Sequence, residues 1–372
     1  MQVAAIPAPP FGEATRAEWL ADRFRELGLE DVHIDEAGNA VGTHRGVVGG
    51  GHVALSAHID TVFPANTPLN IRQQGTRLLG PGVSDNGAGI TALLAIAAVL
   101  RTCKLKHALP ILFIGNVGEE GEGDLRGMRH IFDASQYGDT IIASLILDGA
   151  GSDTIVAEAL GSRRFEVIVR GPGGHSWSDF GTPNPIVVLA RAIYAFAQTP
   201  VPSSPKTTFN IGVIRGGTSV NSIPESASMR VDIRSTSMAE MERLEANLRF
   251  AIDAAIEETQ ANTRTNLAKH PHKLDAEIIA IGNRPAGELD ANARVLKIIR
   301  GVDAHIGNTS QVQRASTDAN VPLSLGREAI AIGGGGTGGG AHTLQEWFDC
   351  NGRELGLKRI LLSLLALTGV SE

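Results

Sequence analysis

The chain has 372 residues, room for two domains or one large one, and 42% hydrophobic with 20% charged residues excludes a disordered chain, a coiled coil and a collagen-like repeat. Lys and Arg number 33 against 40 Asp and Glu, a formal net charge of −7, so no net-positive field draws the chain to a nucleic acid. Cys103 and Cys350 lie far apart without a CxxC spacing, which signals neither a disulfide framework nor a thiolate zinc site and fits a reducing, cytoplasmic setting.

In chain order, residues 14–28 place Trp19, Leu20, Phe24 and Leu27 on one helical face and stop at Gly28, which predicts a first helix. Strand-like runs follow at 53–59, 109–114 and 141–147, separated by a helix over 89–100 and by glycine-rich turns, the alternation expected of an α/β sheet layer. The apolar run Ile90 to Leu100 is about half the length of a membrane span, and Pro7, Pro9 and Pro10 leave the N-terminus without a signal-like helix, so neither membrane insertion nor export is expected.

After Gly161 the pattern changes. Residues 164–170 alternate polar and apolar with period two, as a strand with one wet face does. A helix (185–197), two strands (207–214 and 227–234), a long amphipathic helix (238–259) and a strand (273–281) complete a β-α-β-β-α-β order, that of the ferredoxin-like split unit. From Ala291 the helix-and-strand alternation of the first part returns and closes with a helix over 355–367. The expectation is a small α+β domain (163–282) inserted into a larger α/β domain (1–162 and 283–372).

Acidic residues gather where strands end. His58 and Asp60 are two apart on one strand face, so the carboxylate can reach the imidazole and fix its tautomer. Asp85 precedes a helix, Glu119 and Glu120 follow the strand ending at Ile114, and Asp148 follows Leu147. Singly these read as a helix cap or solvated charges. Four such carboxylates beside His58, at the strand ends where ligands of α/β sheets collect, would repel one another unless cations held them. Adjacent residues of an extended chain point to opposite sides, so Glu119 and Glu120 are not expected to bind the same ion.

The segments His58-Ile-Asp-Thr-Val62, Gly82-Val-Ser-Asp-Asn-Gly87, Glu119-Glu-Gly121, Leu147-Asp-Gly149 and Gly340-Ala-His342 resemble the M20 family of dinuclear zinc peptidases and amidohydrolases. Gly171–Ser176 and Gly216–Pro224 resemble that family's lid segments, so the likeness spans nearly the whole chain. It implies a zinc-exopeptidase-type α/β catalytic domain with an inserted ferredoxin-like lid that dimerises. It also implies two divalent ions, zinc before cobalt or manganese: one on His58 and Asp148, one on Glu120 and His342, with Asp85 bridging them. Glu119 would be the general base acting on a metal-bridged hydroxide, with Asp60 supporting His58. His175, supplied by the partner subunit of a homodimer, would polarise the scissile carbonyl, and Asn221 with Arg234 would bind a substrate carboxylate.

Aspartate at position 148 and Ser316-Thr-Asp-Ala-Asn320 resemble the peptidase T-like branch, which implies release of the N-terminal residue of short peptides. An N-acyl-amino-acid deacylase or carboxypeptidase on the same scaffold is the alternative, and a non-catalytic scaffold protein the third reading. The sequence departs from the family pattern at Asn86-Gly87-Ala88, where Asp-Xaa-Lys is commoner after the bridging aspartate, and in its short start before Phe11. The other histidines, among them His270 and His272, match no metal spacing and are expected in loops or structural roles.

Overall fold

The computed structural model describes residues 1–261 and 273–370; His270 and His272, expected in a loop, lie outside the described residues. The strands that concern the site are β1 (Glu30–Ile34), β2 (Ala40–His44), β3 (His52–His58), β4 (Ile111–Asn116), β5 (Ile141–Leu147), β6 (Thr154–Ala159), β7 (Gly161–Arg170), β8 (Thr207–Gly216), β9 (Ser226–Ser235), β10 (Asp275–Arg284), β11 (Gln311–Ala315) and β12 (Ala329–Ile332). The helices are α1 (Ala14–Glu26), α2 (Gly87–Thr102), α3 (Arg126–Asp133), α4 (Pro185–Ala197), α5 (Met238–Ala261), α6 (Arg294–Ile306), α7 (Asn320–Ser324) and α8 (Arg353–Thr368).

Contacts divide the chain into two units, Met1–Ala159 with Gly287–Glu372, and Leu160–Ala286. The second unit extends a few residues beyond the expected limits at both ends, because β9 pairs with β7 down to Gly161 and β10 pairs with β7 out to Arg284.

The first unit is built on a nine-stranded mixed sheet ordered β1-β2-β4-β3-β5-β12-β6, with the short strand Gly287–Glu288 at its edge and β11 also on β6. The central strands β4, β3, β5 and β12 run parallel, so their carboxyl ends share one edge of the sheet. Both faces of these strands are covered, as apolar runs without alternation require. On one face α1, α2, α6 and α8 pack Leu20, Phe24, Leu93, Ile299 and Leu364 onto Leu55 and Phe113. On the other, α3 and α7 set Met128, Ile131 and Val321 against Ala54, Leu112 and Ile114. Among the described residues no helix is long and apolar enough to cross a membrane. The hairpin β1–β2 and the small sheet joining residues 72–79 to 337–349 carry no periodicity strong enough to have been expected.

The second unit is a four-stranded antiparallel sheet ordered β8-β9-β7-β10, the order of a ferredoxin-like split β-α-β unit. Its alternation is visible residue by residue: Phe165, Val167 and Val169 of β7 and Met229, Val231 and Ile233 of β9 are buried, while intervening residues stay wetter. Their inner face meets Val188, Leu189 and Phe196 of α4 and Leu244, Leu248 and Ile252 of α5.

Candidate metal centre

Three parallel strands end at one place and deliver the site. β3 ends on His58, with Ile59, Asp60 and Thr61 following as buried chain. β4 ends at Asn116, opposite His58 in the ladder, and passes through Val117 and Gly118 to the buried pair Glu119 and Glu120. β5 ends at Leu147, which presents Asp148. Asp85 lies in the loop before α2, and His342 follows the strand Thr337–Gly339.

Asp85 stands between the two histidines. Its Oδ1 is 3.1 Å from His58 Nε2, and its Oδ2 is 3.1 Å from His342 Nε2. Asp148 Oδ1 is 3.7 Å from His58 Nε2, and Glu120 Oε1 is 3.0 Å from His342 Nε2. Two groups result, His58–Asp85–Asp148 and Asp85–Glu120–His342; within each, potential ligand atoms lie within 4.8 Å of one another. Each offers one imidazole nitrogen and two carboxylates, a donor set that suits Zn²⁺, Co²⁺ or Mn²⁺.

The electrostatics fit cations at this place. His58 is fully buried, which alone would lower its pKa, yet interactions with Asp148, Asp60 and Asp85 hold it well above the ordinary value. His342 rises to about 9, chiefly through its hydrogen bond to Asp85 and despite partial desolvation, with Glu120 adding to the effect. Burial pushes Glu120 up to about 7, assisted by the charges of Asp85 and Asp60 and opposed by the two histidines. Burial would also raise Asp85, but hydrogen bonds to His342 and His58 hold it well below the usual carboxylate range.

Asp60 lies behind His58 and touches more than the histidine. Its Oδ1 is 3.5 Å from His58 Nδ1, and that nitrogen makes no aligned hydrogen bond. Its carboxylate instead accepts the backbone amides of Glu119 (3.0 Å) and Glu120 (2.7 Å), so it holds the acidic pair as much as the histidine.

Asn86 caps α2, a place that the residue types alone allowed to Asp85. Two further buried groups hold the site: Asn86, met in the sequence only as a departure from the family pattern, and Glu346, not singled out there. Asn86 Oδ1 accepts the amides of Gly89 and Gly149, both at 3.0 Å. Glu346 accepts the amides of Gly82 (2.8 Å), Ser84 and Asp85 (both 2.7 Å), so the chain four residues beyond His342 clamps the loop that carries Asp85. A helix-cap signal points to the adjacent Asp85 and Asn86 without choosing between them; nothing local marks Glu346. The glycine cluster allows close approach, since a Cβ on Gly338 would meet Ser84 Oγ at 2.2 Å.

The lid residues lie in the second unit. His175 is exposed, pairs with Ser222 across a two-residue ribbon, and accepts the Trp177 amide on Nδ1 at 3.2 Å. Asn221 is its neighbour there, its carbonyl accepting the Ser176 amide at 3.0 Å. Arg234 is elsewhere on the unit: at about 3.3 Å per residue, β9 carries it roughly 26 Å from Ser226, beside that ribbon. Its Nε donates to Asp232 at 2.7 Å.

The carboxyl ends of parallel strands in a mixed sheet bring His58, Glu120 and Asp148 beside Asp85 and His342 of neighbouring loops, in two adjoining triads; with an α+β unit interrupting the sequence, this is the arrangement of a metal-dependent hydrolase. The chain belongs to Peptidase family M20/M25/M40, whose model matches residues 54–365. It is 25% identical over 349 residues to the uncharacterized protein YqjE of Bacillus subtilis, covering 89% of this chain and 88% of that one. A probable carboxypeptidase of Ajellomyces dermatitidis is 30% identical over 200 residues, 49% of this chain and 45% of that protein. The crystal structure of aminopeptidase PepT from Bacillus cereus superposes with a TM-score of 0.76 over 99% of this chain and 96% of that one, at 22% identity.

Proposed function

We propose that this M20 hydrolase removes the N-terminal residue from short peptides. The observation that carries the hydrolytic reading is Asp85, whose two oxygens face two different histidines, each completing a triad. Two divalent ions, zinc before cobalt or manganese, would be held by His58, Asp85 and Asp148 and by Asp85, Glu120 and His342, and when bound would polarise a water and the scissile carbonyl. Glu119, held at its backbone by Asp60, takes the proton of the attacking water and passes it to the leaving amine. The choice of N-terminal cleavage is supported by aspartate at position 148 and by the likeness to the aminopeptidase PepT structure.

His175 would polarise the carbonyl from the lid of a partner subunit, making the active species a homodimer. The exposed edge strand β8 and the exposed Trp177, Phe180 and Tyr194 of the second unit support such an interface. Asn221 lies close enough to His175 to act with it on substrate. Arg234 would have to leave Asp232 to bind a substrate carboxylate. Free, exposed Cys103 and Cys350 agree with a cytoplasmic enzyme.

Similarity to a probable carboxypeptidase favours a second reading, hydrolysis of N-acyl amino acids or of C-terminal residues. A panel of free tripeptides of three different residues, dipeptides and N-acetyl amino acids, run with metal quantification and identification of the residue released, separates the two. Preferred cleavage of free-amine tripeptides, with Glu119→Gln losing roughly 10²–10⁴-fold in kcat while keeping its metal, is the expected result. Preference for N-acetyl amino acids would establish the second reading, and activity that survives exhaustive chelation would remove both.

A further inference from the structure

The residue following Asp85 is fully buried and uses its whole carboxamide. Asn86 Nδ2 donates to the carbonyl of Leu147 at 2.8 Å and reaches the carbonyl of His58 at 3.4 Å. Its Oδ1 accepts the amides of Gly89, in the first turn of α2, and of Gly149. The bonds to Leu147 and Gly149 therefore grip the peptide units on either side of Asp148, and the longer one reaches the residue that ends β3. One side chain, covalently joined to Asp85, ties together the backbones that present His58, Asp85 and Asp148.

We infer that Asn86 is the positioning residue of the His58–Asp85–Asp148 metal position, acting through hydrogen bonds to the backbones of the ligands. Capping alone would not need asparagine, because serine and aspartate cap helices as well. What those residues lack is the pair of N–H donors aimed at two strand-end carbonyls, which lie in a dry place where an unmatched acceptor is expensive. Tight packing reserves the place for this group: a Cβ on Gly89 would meet Asn86 Oδ1 at 2.1 Å and the Leu147 carbonyl at 2.7 Å. Glu346 clamps the loop of Asp85, which both triads share, whereas Asn86 bonds the backbone on either side of Asp148, which only the first triad contains.

The inference rests on the reading of the centre as a metal pair, and the test separates the two. Metal-free wild type, Asn86→Ser and Asn86→Asp are titrated with Co²⁺ and followed by visible absorption, with the thermal midpoint of each metal-free protein measured beside it. Both variants keep a helix cap and lose the donors. Wild type is expected to take up two equivalents, and the step that is absent from His58→Ala identifies the first position. In Asn86→Ser and Asn86→Asp that step should weaken about 10–100-fold, the usual effect of removing a group that orients a ligand. Asp303→Asn, a buried change in the Arg359 pair, serves as the structural control and should lower the thermal midpoint with both steps intact. Two unaltered steps in the Asn86 variants would overturn the inference while leaving the metal pair standing. Wild type that takes up no Co²⁺ would remove the metal pair, and the role of Asn86 with it.

Discussion

Asp60 Oδ2 accepts the backbone amide of Glu120 at 2.7 Å, directly behind a residue of the second triad, while its other oxygen lies 3.5 Å from His58 of the first. A carboxylate expected to serve one histidine is thereby shared between both triads. Burial would raise its pKa, but the nearby His58 imidazole, with the two glutamate amides, holds it below the usual range.

Asp60→Asn replaces one acceptor oxygen with a donor that faces an amide. Metal affinity should fall about 10–100-fold, with kcat falling in parallel. Competition with a chromophoric chelator reads the affinity; an unchanged value would show that the Glu119–Glu120 turn holds itself.

His175 in trans makes a complementation prediction. Glu119→Gln and His175→Ala should each be nearly inactive alone. Mixed and allowed to exchange subunits, they should recover up to roughly a quarter of wild-type activity, since half of the dimers then carry one complete site. No recovery, in a mixture shown by sedimentation to have exchanged, would place His175 outside the partner's reaction.

Arg359 of α8 and Asp303 of α6 make a bidentate pair (2.6 and 2.8 Å) between the two helices, with the arginine fully buried. Burial would raise the Asp303 pKa, but Arg359, Ser310 and Asn308 bind its carboxylate and lower it. A depressed carboxylate stabilises the fold above its unfolded pKa, and that contribution is lost as pH falls through the folded value. Asp303→Asn leaves the guanidinium buried without its counter-charge and should destabilise the protein by about 3–5 kcal/mol at pH 7, with the difference from wild type shrinking in acid. Urea denaturation at pH 7 and in steps from about pH 4 to about pH 2 measures both.

His44 Nδ1 lies 2.7 Å from His107 Nε2, and His107 Nδ1 lies 2.6 Å from the Leu109 carbonyl. Desolvation lowers both pKa values, with the His107 charge adding to the effect on His44 and the Leu109 carbonyl opposing it on His107. Depressed histidines favour the fold above an unfolded pKa of about 6.5 and lose that contribution as pH drops toward the folded values. The thermal midpoint should decline between pH 7 and 5, and His44→Gln should flatten the decline. An equal slope in the variant would assign the acid sensitivity to other groups.

Local order was legible because it leaves a local record. Alternation in residues 164–170 and 227–234 and the helical face of α1 survive in a one-dimensional pattern, and so does the placement of acidic residues directly after strands. Those signals marked a group of acidic residues beside His58 and the two kinds of sheet, while the part of each residue came only from the family resemblance. They could not name the cap of α2 between two adjacent polar residues, nor bring Glu346 to Asp85 across 261 positions.

By itself, the sequence determined which side chains are available for metal and that they follow strand ends, because periodicity and residue type are set by neighbours along the chain. Only the tertiary structure decided that the two oxygens of Asp85 face different histidines, that Asn86 ties two strand ends, and that Arg234 stands at the far end of its strand from Asn221. Those relations depend on how parallel strands register and how tightly backbones pack, and distances between residues hundreds of positions apart are fixed by that packing alone.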